Sequence, residues 1–329
     1  MATLIYGDLH LRKEEPFLSA AKTILSQIEF STSSDDHVIF LGDFFHTSRP
    51  YPEELKVAID FFEKCKAKVT ILAGNHEYHN TRQTFVEEAF EDSSYIEFIK
   101  EPVEKDGFLY LPWVSMQTFR RAGFESLKEY YEDWVMNKWE PLEEKGTLTV
   151  LYHFEDETTF MGIDEVGVDL SLVQKRVPNR TIKRIGGHIH LISDNYIGTP
   201  YTTRKDEERE TFVYLKREEE GGEFVPQLLP KLIEFKSIMY PDLSSFVPKE
   251  GRYYIVEIHS APSSEELYSW KSKYPNVFLA DYSLLYGDDR STEEIQEDLS
   301  NHNIRDFLEL FIKRNKVDSE TANYLLSIF

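Results

Sequence analysis

The sequence has one cysteine, Cys65, among 329 residues. An internal disulfide is therefore excluded. Cys65 falls in a predicted helix without a histidine beside it, so we interpret it as a packing residue rather than a reactive thiol. No run of about 18 apolar residues is present, which excludes a membrane-spanning helix. The first residues lack the basic and long apolar segments of a secretory signal, so we expect a cytoplasmic protein.

Basic residues are scarce relative to acidic ones. Asp and Glu number 59 against 37 Lys and Arg, which gives a formal net charge of −22. This is the wrong sign for a protein that binds nucleic acid on its own. Either the substrate is small, or the basic contacts are local, or a partner subunit supplies the surface that holds DNA. Bound divalent cations would also offset part of the negative charge near a site.

The first third of the chain alternates predicted strands and helices. Apolar runs that end near Tyr6, Leu41 and Ala73 predict three buried strands, and apolar residues recur at helical spacing between them. A βαβαβ order implies a parallel sheet with helices packed on its faces. At 329 residues, the chain has room for a main domain and one or two small ones.

Further strands and helices are predicted along the rest of the chain. The strands are a short pair at 98–112, single strands at 148–152 and 182–187, and a hairpin at 211–229. A new pattern starts near Pro230 and predicts a small βαβ domain, and the pattern of the last residues predicts short helices. We therefore expect a main domain over 1–230, a small domain over 231–290 and a helical segment over 291–329.

Polar motifs follow the predicted strands at their carboxyl ends. The motifs are Asp8-Leu9-His10, Gly42-Asp43, Gly74-Asn75-His76-Glu77, His153 and Gly187-His188-Ile189-His190. Each motif alone is more often a turn, a helix cap or a buried histidine than a site. Together they involve six of the ten histidines, counting His46. Because open α/β sheets place their ligand crevice at this edge, the motifs jointly predict a metal site.

The residue types in these motifs suit a pair of metal ions. Two ions need a bridging carboxylate, for which Asp43 is the candidate. Asp8 and His10 alternate along the chain and can point the same way, as can His188 and His190. Carboxylate, amide and imidazole donors without a thiolate suit Mn²⁺, Fe²⁺ or Zn²⁺ better than a cysteine-rich structural zinc site.

In this order, the motifs resemble those of the calcineurin-like metallophosphoesterases, which hydrolyse phosphate esters with two metal ions. The resemblance implies an α/β fold, a metallophosphoesterase β-sandwich flanked by helices, with a small α/β capping domain and a C-terminal helical segment. It implies one metal held by Asp8, His10, Asp43 and His190, and a second held by Asp43, Asn75, His153 and His188. It makes His76 a catalytic residue that is not a ligand, and that stabilises the phosphate and protonates the leaving oxygen.

The residues after Asp43 indicate which family within this superfamily the chain resembles. Many phosphatases of this superfamily have an aspartate three residues after the bridging one, whereas this chain has His46, followed by Arg49-Pro50. This is similar to the nuclease subunit of the SbcCD-type double-strand-break repair complex, the meiotic-recombination-eleven family. His46 would then be a second catalytic residue that steers His76 or the DNA end. The alternative is a helix-cap or surface histidine.

Other segments resemble the same nuclease family. Ile197-Gly198-Thr199-Pro200 is similar to its Gly-Ser-Pro strand turn, and the modules after Pro230 match its capping domain and C-terminal helical hairpin. Glu77 departs from the pattern, where aspartate is more usual, but it keeps a carboxylate. The chain is short for the family and looks most like its compact prokaryotic or bacteriophage members.

The resemblance implies a Mn²⁺-dependent DNA nuclease, a 3′→5′ exonuclease on double strands with some endonuclease activity, that acts in repair and recombination. Two copies of the chain, as a homodimer, would form a heterotetramer with an SbcC-like coiled-coil ATPase. The complex would be associated with the nucleoid in the cytoplasm, or lie in the host cytoplasm if the protein is viral. One alternative is a small-molecule phosphodiesterase or phosphoprotein phosphatase of the same superfamily. Another is a non-catalytic scaffold.

Two surfaces are candidates for the partners. An apolar stripe in the last helices either packs on the body or meets the helices of the ATPase; it comprises Ile304, Phe307, Leu308, Phe311, Ile312, Leu325, Leu326, Ile328 and Phe329. An acid-free stretch supplies candidate DNA contacts, and three arginines lie near the metal motifs: Lys175, Arg176, Arg180, Lys183 and Arg184, with Arg49, Arg82 and Arg204. The alternative for the stretch is a solvated face.

Overall fold

A computed structural model describes most of the first 280 residues. The described residues are 1–78, 86, 96–142, 146–157, 167–207, 210–217, 223–239, 245–259, 269–270 and 272–280. The chain divides into two units, Met1–Ala280 and Asp281–Phe329, and all described residues belong to the first. The predicted helices over 291–329 and the candidate DNA contact Arg82 lie outside the described residues.

The first sheet has six strands in the order β10-β9-β1-β2-β3-β4. Its strands are β1 (Ala2–Tyr6), β2 (His37–Phe40), β3 (Lys68–Leu72), β4 (Ile96–Ile99), β9 (Phe212–Arg217) and β10 (Phe224–Leu228). Strands β1 to β4 are parallel, and β9 pairs antiparallel with both β1 and β10. The three predicted amino-terminal strands and the closing hairpin are therefore confirmed.

The second sheet has four strands in the order β5-β6-β7-β8. Its strands are β5 (Val103–Lys105), β6 (Phe108–Leu111), β7 (Thr147–Tyr152) and β8 (Thr181–Gly186). The expected single strand pair at 98–112 is wrong, because β4 joins the first sheet while β5 and β6 form a hairpin in the second. Asp106 and Gly107 close that hairpin with φ values of 53° and 78°, the backbone that a two-residue primed turn requires.

The two sheets pack face to face. Ile5, Ile39 and Leu72 of the first sheet form one buried cluster with Leu151 and Ile185 of the second. The sequence predicted helices on both faces of the first sheet, but its inner face packs on the second sheet.

Helices pack on the outer faces: Phe61 of one helix contacts Phe40 of β2, and helical residues such as Tyr131 share a buried cluster with Leu109 and Val150 of the second sheet. This arrangement confirms the α/β sandwich flanked by helices.

The described helices are short apart from the first two. They are α1 (Phe17–Ser31), α2 (Pro52–Lys64), α3 (Met116–Arg121), α4 (Leu127–Asp133) and α5 (Ser171–Arg176), with a π-helical turn at Trp134–Lys138 and a 3₁₀ turn at Lys205–Glu207. Helix α2 begins at Pro52, and the Glu54 carboxylate accepts the Tyr51 backbone N–H at 2.8 Å, which satisfies a donor at the helix start. Cys65 is the buried C-cap of α2, in keeping with a packing role.

A separate small sheet follows the sandwich. Strands β11 (Ile233–Met239), β12 (Tyr253–His259) and β13 (Val277–Leu279) are parallel, and their order is β11-β12-β13. Ile238, Tyr254 and Trp270 contribute to its own buried cluster. The domain limits at 230 and 290 stay predictions. Among the described residues, no helix is long and apolar enough to cross a membrane.

Arg180, a candidate DNA contact, is a buried structural residue. Its guanidinium donates to the Glu104 carboxylate at 2.6 Å, and the two side chains are 5% and 3% exposed. Glu104 also accepts hydrogen bonds from the Trp139 indole and the Leu142 backbone, both at 3.0 Å. The pair fastens the loop before β8 to strand β5, so the DNA assignment of Arg180 is corrected.

The Arg180→Met variant should lower the free energy of unfolding by about 3–5 kcal/mol, because the change leaves Glu104 buried without its cation. Urea unfolding at pH 7 measures this loss. Lys175→Met is the matched control: its side chain is 62% exposed, and its effect should stay within about 0.5 kcal/mol. A loss below about 1 kcal/mol for Arg180→Met would contradict the structural role.

Candidate metal centre

The five polar motifs converge at one edge of the sandwich. They follow β1, β2 and β3 of the first sheet and β7 and β8 of the second. Because the carboxyl ends of these parallel strands face the same way, residues far apart in sequence meet there. The resulting cluster contains all seven predicted metal ligands, and the assignment of each as a ligand stays a prediction.

One half of the centre is formed by Asp8, His10 and His190. The Nε2 atoms of His10 and His190 lie 2.8 Å apart, and His190 Nε2 lies 3.6 Å from Asp8 Oδ2. His10 Nε2 is also 3.8 Å from Asp43 Oδ2. Two imidazole nitrogens and two carboxylates therefore surround one small volume.

The other half is formed by Asp43, Asn75, His153 and His188. His153 Nε2 lies 3.3 Å from Asp43 Oδ2 and 3.0 Å from Asn75 Oδ1, and His188 Nδ1 lies 3.1 Å from that same amide oxygen. The opposite nitrogen of His153, Nδ1, donates to the Leu41 carbonyl at 2.5 Å, which turns Nε2 toward the centre. Asp43 Oδ2 faces both halves, as a bridging carboxylate must.

These residues fit a pair of divalent cations. The donors are two buried carboxylates, one amide oxygen and four imidazoles, and several of their ligand atoms lie at 2.8–3.8 Å from one another. A cation placed among them would replace close donor–donor contacts by coordination bonds. The donor set has no thiolate, which suits Mn²⁺, Fe²⁺ or Zn²⁺.

Three of these residues have left-handed backbone conformations. The φ angles are 46° at His10, 46° at Asp43 and 73° at His188. Such angles are costly for residues other than glycine and concentrate at functional sites. Asp8 and His10 point into one cluster as expected, but not by strand alternation, because β1 ends at Tyr6. A turn held by the His10 N–H on the Asp43 carbonyl, at 2.8 Å, positions His10.

The Glu77 carboxylate holds the backbone of the Asp43 loop through hydrogen bonds, a role that the sequence did not indicate. It is buried and accepts backbone N–H groups from Gly74 at 2.6 Å, Asp43 at 2.8 Å and Phe44 at 2.7 Å. Burial and the nearby Asp43 raise the pKa of Glu77 to about 8. The two loops touch so closely that a Cβ on Gly74 would lie 2.1 Å from Asp43 Oδ1.

Glu207 is a second carboxylate that sequence reasoning missed. It accepts a hydrogen bond from His190 Nδ1 at 2.7 Å and another from Arg204 Nε at 2.7 Å. Burial would raise the pKa of Glu207, but the bond from His190 and the charges of His190 and Arg204 lower it to about 2. Its place 17 residues after His190, in a 3₁₀ turn, carries no motif that could have identified it.

His76 and His46 lie side by side next to His10. Their rings stack with centroids 5.5 Å apart and planes 22° apart. His76 Nδ1 donates to the His46 carbonyl at 2.5 Å, while His76 Nε2 lies 3.9 Å from Asp43 Oδ2. His46 Nδ1 is 3.4 Å from His10 Nδ1. The carbonyl fixes the proton on Nδ1 of His76, so Nε2 is the nitrogen that can exchange a proton with a substrate.

Burial and neighbouring charges shift the pKa values of four groups in the centre. Burial would lower the pKa of His153, but Asp43 and Asp8 raise it to about 10. Burial raises the pKa of Asp8 to about 6. Burial would also raise the pKa of Asp43, yet His153 holds it well below its usual value. Burial and His153 lower the pKa of His188 to about 3, which leaves a neutral imidazole suited to coordination.

The acid-free stretch does not form one basic surface. Lys175 and Arg176 are exposed on α5, whereas Arg180 is buried as described. Lys183 donates to the Phe224 carbonyl at 2.8 Å and Arg184 to Asp156 at 2.9 Å. Adjacent residues of a strand point to opposite faces, which separates the last two.

Two other candidate DNA contacts remain near the centre. Arg204 contacts Glu207, which in turn contacts His190. Arg49 is exposed and lies on the loop that carries His46.

Binding of divalent cations should release protons. His153 has a pKa of about 10, and its Nε2 must lose its proton before that nitrogen can bind a metal. The apparent Kd for Mn²⁺ should therefore fall as pH rises from 6.5 to 8.5, by up to about tenfold per pH unit. Calorimetric titration of the whole chain in buffers of different ionisation enthalpy measures the protons released. An affinity that is flat across this range would contradict the raised pKa of His153.

Comparison with known proteins identifies the family. The family model for calcineurin-like phosphoesterases matches residues 1–199, which is more than half of the chain. A comparison with curated proteins found no match. The matched region contains β1 to β8 and all seven predicted ligands. The chain therefore belongs to the calcineurin-like phosphoesterase family and is, in general terms, a metal-dependent phosphoester hydrolase.

Proposed function

We propose that the protein is a Mn²⁺-dependent DNA nuclease, a 3′→5′ exonuclease on double strands with some endonuclease activity, that acts in double-strand-break repair and recombination. The observation that carries the proposal is His46. This residue occupies the position where many phosphatases of the superfamily have an aspartate, and it packs on His76 beside the metal centre.

A histidine at this position changes the charge that a substrate meets. An aspartate beside His76 would repel the additional phosphates of a nucleic acid, whereas an imidazole does not. His46 also holds His76 through its backbone carbonyl at 2.5 Å and reaches His10 at 3.4 Å. The pair is therefore compatible with a polyanionic diester next to the centre.

The residues of this chain divide the chemistry between them. Asp8, His10, Asp43 and His190 would hold one ion, and Asp43, Asn75, His153 and His188 the other. Two bound cations supply charge stabilisation for the phosphate and activation of water. His76 Nε2 donates a proton to the leaving oxygen, and the His46 carbonyl on Nδ1 keeps the ring in the orientation for this transfer. Oxygen and imidazole donors are compatible with Mn²⁺, Fe²⁺ or Zn²⁺, and Mn²⁺ is proposed because the resemblance to the nuclease family implies it.

Because the chain has a net charge of −22, it would repel DNA over much of its surface and needs additional basic groups to hold it. Arg49 and Arg204 are the described basic candidates near the centre. An SbcC-like coiled-coil ATPase, bound through residues 291–329, would supply the larger surface, with two copies of this chain in a heterotetramer. This part of the proposal rests on the resemblance of the motifs and of the segments after Pro230.

The negative charge favours a second candidate, a small-molecule phosphodiesterase or phosphoprotein phosphatase. End-labelled linear duplex DNA, a cyclic nucleotide and a phosphopeptide, each with Mn²⁺, separate these functions. The nuclease proposal expects shortening of the duplex from its 3′ ends and little turnover of the other two. Intact duplex with rapid hydrolysis of the cyclic nucleotide or the phosphopeptide would overturn it, and no turnover of any substrate would favour a scaffold.

The His76→Ala variant should keep both metal ions and lose about 10²- to 10⁴-fold of its DNA cleavage rate, because it removes the proton donor but no ligand. Calorimetry measures the metal and a labelled duplex measures cleavage. His37→Ala is the matched control, since His37 is a half-buried histidine on β2 that bonds Thr70 at 2.7 Å and is not among the residues of the centre. Loss of a metal ion in His76→Ala would mean that its role is misassigned.

A further inference from the structure

The 3₁₀ turn Lys205–Glu207 contacts both the metal centre and the small sheet. At its end, Glu207 Oε1 accepts from His190 Nδ1 at 2.7 Å. At its start, Lys205 Nζ donates to Glu257 Oε2, on β12, at 2.9 Å. One short turn therefore joins a predicted ligand to another part of the fold.

The Glu207 carboxylate is fixed within its own loop. Its side chain is 2% exposed, and it accepts from Arg204 Nε at 2.7 Å, from the Arg204 backbone at 3.1 Å and from the Thr203 hydroxyl. A buried carboxylate whose two oxygens are both bonded has little freedom to move. It therefore holds the proton of His190 on Nδ1 and directs Nε2 toward Asp8 and His10. Such carboxylate–histidine pairs strengthen metal binding by orienting the ligand.

The Lys205 end is held by a polar group that spans two strands. Ser237 on β11 and Glu257 on β12 are register partners, and Ser237 Oγ donates to Glu257 Oε2 at 3.1 Å. Lys205 Nζ lies 3.3 Å from the same serine oxygen. The Lys205 ammonium group therefore contacts β11 and β12 of the small sheet at the same place. Because Lys205 and Glu207 share one turn, displacement of the sheet at this point would shift the carboxylate on His190.

We propose that the turn Lys205–Glu207 couples the small sheet to the metal centre. Glu207 is a positioning residue for His190, and Lys205 sets the position of the turn through Glu257. The ion held by Asp8, His10, Asp43 and His190 then binds best when the small sheet is in contact with the turn. The ion on the His153 side does not depend on it. Because coupling is reciprocal, that first ion also strengthens the contact with the sheet.

This inference rests on the proposed metal site and not on DNA as the substrate. The first test is calorimetric Mn²⁺ titration of Glu207→Gln in the whole chain. We expect one of the two ions to bind about 10- to 100-fold more weakly and the other to bind as in the wild type. A folded Glu207→Gln chain that binds both ions with wild-type affinity would overturn the positioning role.

The second test asks whether the contact between Lys205 and Glu257 affects the metal site, in addition to the direct contact between Glu207 and His190. It can be carried out even if Glu207→Gln fails to fold. Lys205→Met and Glu257→Gln should each weaken the same ion, on the order of 3- to 10-fold. The double variant should be no weaker than the single ones, because both changes break one connection. Lys128→Met is the control: it breaks the exposed pair with Glu157, at 2.6 Å, and should leave both affinities unchanged.

Other outcomes distinguish this inference from the proposed function. Unchanged Mn²⁺ affinity in Lys205→Met and Glu257→Gln would overturn the coupling while leaving a nuclease intact. A wild-type chain that binds two ions but leaves duplex DNA uncut would overturn the nuclease proposal, and the affinities of these variants would still decide the coupling.

Discussion

The structure of the centre depends on burying the Asp43 carboxylate between two sets of predicted ligands. Burial of a charge is costly unless every oxygen is paired. Asp43 Oδ1 accepts the His76 backbone N–H at 2.9 Å, while Oδ2 faces His153 at 3.3 Å. Glu77 holds the backbone of the same residue, and Gly74 leaves the space that the loops need. The left-handed backbone at Asp43 persists because these contacts determine it from several sides.

The sandwich explains why so many loops can meet at one carboxylate. Parallel strands from both sheets end at the same edge, and the cluster between the sheets, which includes Ile39 and Leu151, fixes their spacing. The predicted ligands lie on short loops that follow rigid strands, so their positions follow from the core. The turn that carries Glu207 lies outside this core, which is where a contact with the small sheet can still adjust a ligand.

Much of the fold and the centre could be predicted from the sequence, because strand ends and ligand motifs are local patterns. Strands β1 to β3 needed only an apolar run, and the polar motif after each run marked the residues that the structure brings together at the centre. The pairing of β4 was missed because short apolar runs do not specify their partner, although Asp106-Gly107 was a hairpin signal. Arg180 was misassigned because its partner Glu104 lies 76 residues away. Glu207 contacts His190 only through the tertiary structure, and no sequence pattern predicts such a contact.

The central claim is the proposal that the Asp43 carboxylate would bridge two metal ions. Electron paramagnetic resonance of the chain titrated with Mn²⁺ tests it directly, because two Mn²⁺ ions that share a carboxylate are magnetically coupled. We predict a coupled spectrum when two equivalents are bound, and its replacement by the spectrum of isolated ions in Asp43→Asn. A wild-type spectrum of isolated Mn²⁺ at full loading, or a coupled spectrum that survives Asp43→Asn, would contradict the account.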